Sequence, residues 1–158
     1  MNTAKINNAV NLTYPESYQE MGEEELQRYF KTAQNRWGVY DVDRHVILTV
    51  SWKKAGFLSF MTDAESLLIG IEARNKRNLI NYRRKDAFKT KIASKKKKNG
   101  YGIRFEYRVN DANIYQVSDL RAVKFKGYFY CFQYIGRRIT DEECHPDFEA
   151  MMESVSFG

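Results

Sequence analysis

A chain of 158 residues with 43% hydrophobic and 15% aromatic side chains can bury one sizeable core, which excludes a disordered polypeptide. No apolar run approaches the ~20 residues of a membrane-spanning helix, and Met1 to Val10 lack the apolar segment of a secretory leader, so a cytoplasmic protein of one domain, residues 1–158, is expected. The net charge of +6 is unevenly spread: Arg74 to Arg108 holds fourteen Lys and Arg against two acids, Asp86 and Glu106, a block of +12 that leaves −6 on the remainder.

Val10 to Tyr14 alternates apolar and polar residues and reads as a short strand ended by Pro15. Glu23 to Phe30 reads as a helix, with Leu26, Tyr29 and Phe30 at helical spacing and Glu23, Glu24 and Glu25 at its positive end. Trp37 to Asp41 and Val46 to Trp52 form a hairpin around Asp43-Arg44, with Val46, Leu48, Val50 and Trp52 on one face. Thr62-Asp63-Ala64-Glu65 has the spacing of a capping box. The helix it opens turns Leu67, Leu68, Ile71 and Leu79 toward a core, and Arg74, Lys76 and Arg77 suit its negative end.

A period-two pattern follows. Phe88, Thr90 and Ile92 share one face, with Lys89 and Lys91 on the other; Tyr101, Ile103, Phe105, Tyr107 and Val109 repeat it, with Arg104, Glu106 and Arg108 between them. Asn99-Gly100 favours the positive φ angles of a hairpin turn. That places Lys95, Lys96, Lys97 and Lys98 at a hairpin tip and Lys89, Lys91, Arg104 and Arg108 on the outer side of its stem. Tyr115 to Lys126 and Tyr128 to Ile135 give a further strand pair turning at Lys126-Gly127. The last strand is apolar on both faces, so its sheet needs cover on both sides. Pro146 fits a first helical position, Asp141, Glu142 and Glu143 a polar turn before it, and Phe148, Met151 and Met152 an apolar stripe after it. Helices separated by hairpin strands give an α+β fold, an antiparallel sheet with helices packed on it.

The opening strand ending in Leu12-Thr13-Tyr14-Pro15, the short acidic helix, the strand Gly102 to Tyr107, the aromatic strand Gly127 to Tyr134 and the ending Phe148 to Phe157 together resemble the Mog1/PsbP-like superfamily. The resemblance implies an α/β/α sandwich around a central antiparallel sheet and a non-catalytic binding module of bacterial type. Members include binders of a small nuclear GTPase and extrinsic photosystem subunits; none of their partner-binding or metal-binding residues maps onto this chain position by position.

The chemistry read from the residues is sparse. Two Cys and two His lack zinc spacing, so no metal or cofactor is expected. Cys144 and His145 are sequence neighbours with no orienting third group, Asp41, Asp43 and His45 fit a turn bonded to its own backbone, and Cys131 reads as a small buried hydrophobe. No enzyme is expected. The basic block remains: Arg74, Lys76, Arg77, Lys89, Lys91, Lys95, Lys96, Lys97, Lys98, Arg104 and Arg108 are the expected contact surface for an acidic protein or another polyanion. Nucleic acid is the alternative partner, weakened because Tyr101, Phe105 and Tyr107 lie opposite Arg104 and Arg108 and no RNA-binding signature accompanies them. A small-molecule pocket or enzyme between sheet and helices is the third reading.

Overall fold

The computed structural model describes residues 1–56, 62–93, 95, 97–109 and 113–158. Among these, ten strands and three helices follow in the order β1 (Asn2–Ile6), β2 (Val10–Tyr14), β3 (Gln19–Glu20), α1 (Glu23–Phe30), β4 (Arg36–Asp41), β5 (Val46–Lys54), α2 (Ala64–Asn78), β6 (Ile80–Ile92), β7 (Lys98–Arg108), β8 (Tyr115–Phe125), β9 (Tyr128–Arg137), α3 (Asp141–Ser154) and β10 (Ser156–Phe157). A seven-stranded antiparallel sheet runs β3-β4-β5-β9-β8-β7-β6, and a three-stranded sheet runs β1-β2-β10.

The two-faced strand β9 explains the layers. Tyr130, Phe132 and Tyr134 meet Phe148 and Met151 of α3 and Val10 and Leu12 of the small sheet, together with Leu48 and Val50 of β5. On the reverse face, Leu68 of α2 packs against Ile103, Phe105, Leu120 and Ala122, with Cys131 at the margin. α1 covers β4 on that same face, Leu26 lying against Gly38. Helices and a small sheet on both sides of one antiparallel sheet make the expected α/β/α sandwich. No helix among the described residues is long and apolar enough to cross a membrane.

Several local readings need correction. The cap of α2 is Asp63, whose carboxylate accepts from the Ser66 amide at 2.8 Å, and Thr62 lies outside it. α3 begins at Asp141, after a 3-10 turn over Arg138–Thr140; its three acids form the first turn and Pro146 sits inside the helix. Asn99 and Gly100 belong to strand β7, opposite Lys91 and Thr90, and the chain turns instead between Ile92 and Lys98, with Ala93 in the left-handed region at φ 95°. Gly100 is needed for close approach: a Cβ there would stand 2.7 Å from the Ala122 carbonyl oxygen and 2.9 Å from Ile92 Cδ1. Gly127 is the glycine that takes a positive φ, 81°, next to Lys126 at 44°, in the expected turn between β8 and β9. The β6–β7 register also splits the expected outer stem face, because it pairs Lys89 and Lys91 with odd-numbered residues of β7. Lys89 and Lys91 sit beside Tyr101 and Asn99 on the α2 face, whereas Arg104 and Arg108 point to the α3 face.

Gly100→Ala is expected to lower stability by about 1–3 kcal/mol, because the Ala122 backbone must move to admit the methyl group. Chemical denaturation checks this; an unchanged midpoint would mean that the β7–β8 pair has slack at this point.

Candidate functional site

The antiparallel register sends a second set of lysines to the end of the sheet where β6 turns into β7. Lys54 pairs with Tyr128, Tyr128 with Phe125, and Val123 with Gly100, so the ends of β5 and β8 lie beside the start of β7. Lys53, Lys54, Lys124 and Lys126 thereby join Lys95, Lys97 and Lys98 at one pole of the sheet. Lys98 and Lys126 lie 5.6 and 5.3 Å from the centre of the Phe125 ring, and Lys124 5.5 Å from that of Phe129. Lys53, Lys54, Lys95, Lys97 and Lys126 are exposed, and none forms an ion pair among the described residues. Lys96 lies outside the described residues. Sequence reasoning missed Lys53, Lys54, Lys124 and Lys126 because they fall outside the basic block; a strand register would have found them.

The same register divides the block itself. α2 runs antiparallel to β6: its start borders Lys89, Lys91 and Gly100 across a cleft of about 490 Å³, and its end leads directly into Ile80. Arg74, Lys76 and Arg77 therefore sit toward the opposite pole, ten to thirteen residues along α2 from Ala64, about 15–20 Å at the rise of a helix. Several arginines of the block are also engaged. Arg83 pairs with Glu106 at 2.9 Å, Arg104 with Asp141 at 3.0 Å, and Arg84 with the buried Glu72. Glu72 also accepts from Tyr82 Oη at 2.7 Å, and the Arg84 guanidinium holds its carboxyl at about 2 against an ordinary 4.5. Arg108 lies half-buried on the α3 face.

Under α3 lies a cluster that sequence reading did not assemble. Asp119 of β8 is fully buried and accepts from Arg121 Nε at 3.1 Å, Arg121 Nη2 at 3.0 Å and His145 Nε2 at 2.8 Å. Arg121 Nη2 continues to Glu149 Oε1 at 2.5 Å. Burial alone would raise the Asp119 carboxyl, but hydrogen bonds from His145 and Arg121 outweigh it and hold it below its ordinary 3.8. Asp119, His145 and Glu149 present ligand atoms within 4.8 Å of one another, a spacing that suits a divalent ion. Yet a guanidinium bonded to both carboxylates already supplies the positive charge such an ion would bring. The parts of this cluster were visible as Asp119 and Arg121 two apart on a strand and His145 and Glu149 four apart on a helix, once α3 is known to begin at Asp141.

The Asp119–His145 pair could orient a general base, but no nucleophile reaches it among the described residues. Cys144 is buried in the core one helical step away, where neighbouring side chains diverge by ~100°. Cys131 lies on the opposite sheet face, and burial pushes its thiol up to about 11, so it stays protonated. Asp41 accepts from the Arg44 amide and guanidinium within its own turn, at 3.3 and 2.7 Å.

Searches by sequence find no match, either to a protein-family model or to a curated protein. Solved structures do match. The cyanobacterial PsbP (CyanoP) of Synechocystis aligns over 99% of this chain and 92% of its own at TM-score 0.67 and 11% identity. The chain has the Mog1/PsbP-like fold. Two more solved structures similar to this chain are LpqN of Mycobacterium tuberculosis, involved in cell envelope biogenesis (TM-score 0.66, 12% identity, 94% of this chain and 82% of that one), and a Pseudomonas aeruginosa protein of unknown function described as a putative regulator (0.57, 9%, 97% and 94%).

Replacing Asp119 by Asn should cost roughly 3 kcal/mol, because it removes the buried one of the two carboxylates that hold the Arg121 charge and leaves only Glu149; thermal and denaturant unfolding check it. Since the Asp119 and Glu72 carboxyls titrate lower in the folded chain than in the unfolded one, both contribute stability at neutral pH that acidification removes, that of Glu72 as pH falls from about 4.5 toward 2. An acid-unfolding curve that keeps the same shape in Glu72→Gln would contradict that assignment.

Proposed function

We propose that this protein is a single-domain, non-catalytic binding module that docks an acidic protein surface through the lysine pole of its sheet. The observation that carries this reading is the convergence of Lys53, Lys54, Lys95, Lys97, Lys98, Lys124 and Lys126 on one end of the sheet from three separate stretches of sequence. Exposed, like-signed side chains at one pole raise the local potential and steer an anionic partner. Lys53, Lys54, Lys95, Lys97 and Lys126 form no ion pair among the described residues, whereas the arginines farther along the block are spent on Glu72, Glu106 and Asp141. Arg74, Lys76 and Arg77 belong to the far pole and are outside this reading's docking surface.

Nucleic acid is the weaker partner, since the two phenylalanines described at the pole offer no free stacking platform. Phe125 is covered by Lys98 and Lys126, and Phe129 is buried beneath Lys124.

The test is binding of fluorescent polyglutamate, against a single-stranded oligonucleotide, as salt is raised. Polyglutamate should bind at low salt and weaken at least about tenfold by ~0.2 M, where exposed charges are screened beyond ~8 Å. Lys53→Glu, Lys54→Glu, Lys95→Glu and Lys97→Glu combined should abolish it, while Arg74→Glu with Arg77→Glu should not. Equal loss in both variants, or tighter binding of the oligonucleotide, overturns the proposal.

A further inference from the structure

β6 closes one edge of the large sheet, and β7 is its sole strand neighbour among the described residues. From Asp86 to Ile92 its register against β7 is unbroken, beyond two bulges nearer Ile80. The direction of its backbone groups follows from the ladder. Val109 donates to the Ile114 carbonyl across the β7–β8 turn at 2.8 Å, so odd-numbered residues of β7 bond toward β8 and even-numbered ones toward β6. The partners of Lys98, Gly100 and Gly102 are Ile92, Thr90 and Phe88, which are therefore committed inward. Ala87, Lys89 and Lys91 turn their N–H and C=O outward. The Ala87 amide agrees: it donates to its neighbour's Asp86 Oδ1 at 2.9 Å instead of to the ladder.

We infer that this edge receives an extended acidic segment of a partner protein as an eighth strand, with acids at alternate positions and apolar residues between them. Side chains follow the pleat. Residues of an added antiparallel strand that bond to Lys89 and Lys91 share their face, where two ammonium groups stand two residues apart. The residues between them fall on the face of Phe88, Thr90 and Ile92, which is half-buried to buried. Charge on one side and apolar surface on the other select an alternating acid–apolar sequence, and main-chain bonds supply the remaining contact. The same lysines oppose a second copy of β6, since self-pairing sets lysine against lysine. Asp63 and Glu65 also border Lys89 and Lys91 across the cleft, but the Asp63 carboxylate is occupied by the Ser66 amide. This inference rests on the acidic-partner reading and gives that partner a conformation.

The probe is a capped heptapeptide alternating Glu and Val, compared with the same peptide N-methylated at each Glu and with polyglutamate. Strand addition predicts that the heptapeptide binds, that N-methylation weakens it at least about tenfold, and that amide exchange at Lys89 and Lys91 slows while that at Phe88 and Thr90 is unchanged. Equal binding of the methylated and unmethylated peptides, or polyglutamate binding without the heptapeptide, overturns the strand and leaves the lysine pole standing. Failure of all three probes overturns both. Concentration-dependent dimerisation lost in Lys89→Glu would assign the edge to a second copy and overturn the inference as well.

Discussion

β9 has no polar side, and that single constraint organises the molecule. A strand carrying Tyr130, Phe132 and Tyr134 on one face and Phe129 and Cys131 on the other cannot lie at a solvent boundary. One face is closed by α3 with the small sheet, the other by α2 with α1 over β4. Burying both faces forces charged residues of the central strands inward too. Asp119 and Arg121 are tolerated because they bond to each other and to His145 and Glu149 of the helix above them. The pair thus fixes where α3 sits as well as surviving beneath it.

Most of the architecture is legible where one residue pattern decides the structure. Strict alternation from Tyr101 onward, the two-faced aromatic strand and the apolar stripe of α2 each admit one reading. Failures share a cause: a local preference met a tertiary requirement. Asn99-Gly100 prefers a turn, but the glycine is consumed by the close passage of Ala122 and Ile92. Pro146 prefers a helix start, but the 3-10 turn after β9 begins the helix five residues earlier. Asn2 to Ile6 is mostly polar and exposed, and becomes a strand because β2 offers it an edge.

The candidate surface was half legible for the same reason. Charge is read along the chain, whereas poles are set by the direction in which elements run. A basic block spanning α2, β6 and β7 folds back on itself, which parts Arg74, Lys76 and Arg77 from the lysine tip. Lysines from β5 and the β8–β9 turn replace them. The acids that pair with Arg83, Arg84 and Arg104 then leave the lysines as the exposed charge of that region.

The small sheet has one more effect, on how the chain reaches this state. β2 lies between β1 and β10, and the Thr13 amide donates to Ser154 Oγ at 2.9 Å across 141 residues of sequence. Joining segments so far apart carries a large loop-closure entropy that no local contact offsets in advance. The large sheet pairs mostly neighbouring strands and can form first; the layer that shields Tyr130, Phe132 and Tyr134 is completed only when the two ends of the chain meet. Until then that face has only α3 over it, so the meeting of the two chain ends completes the shield on the aromatic side of β9.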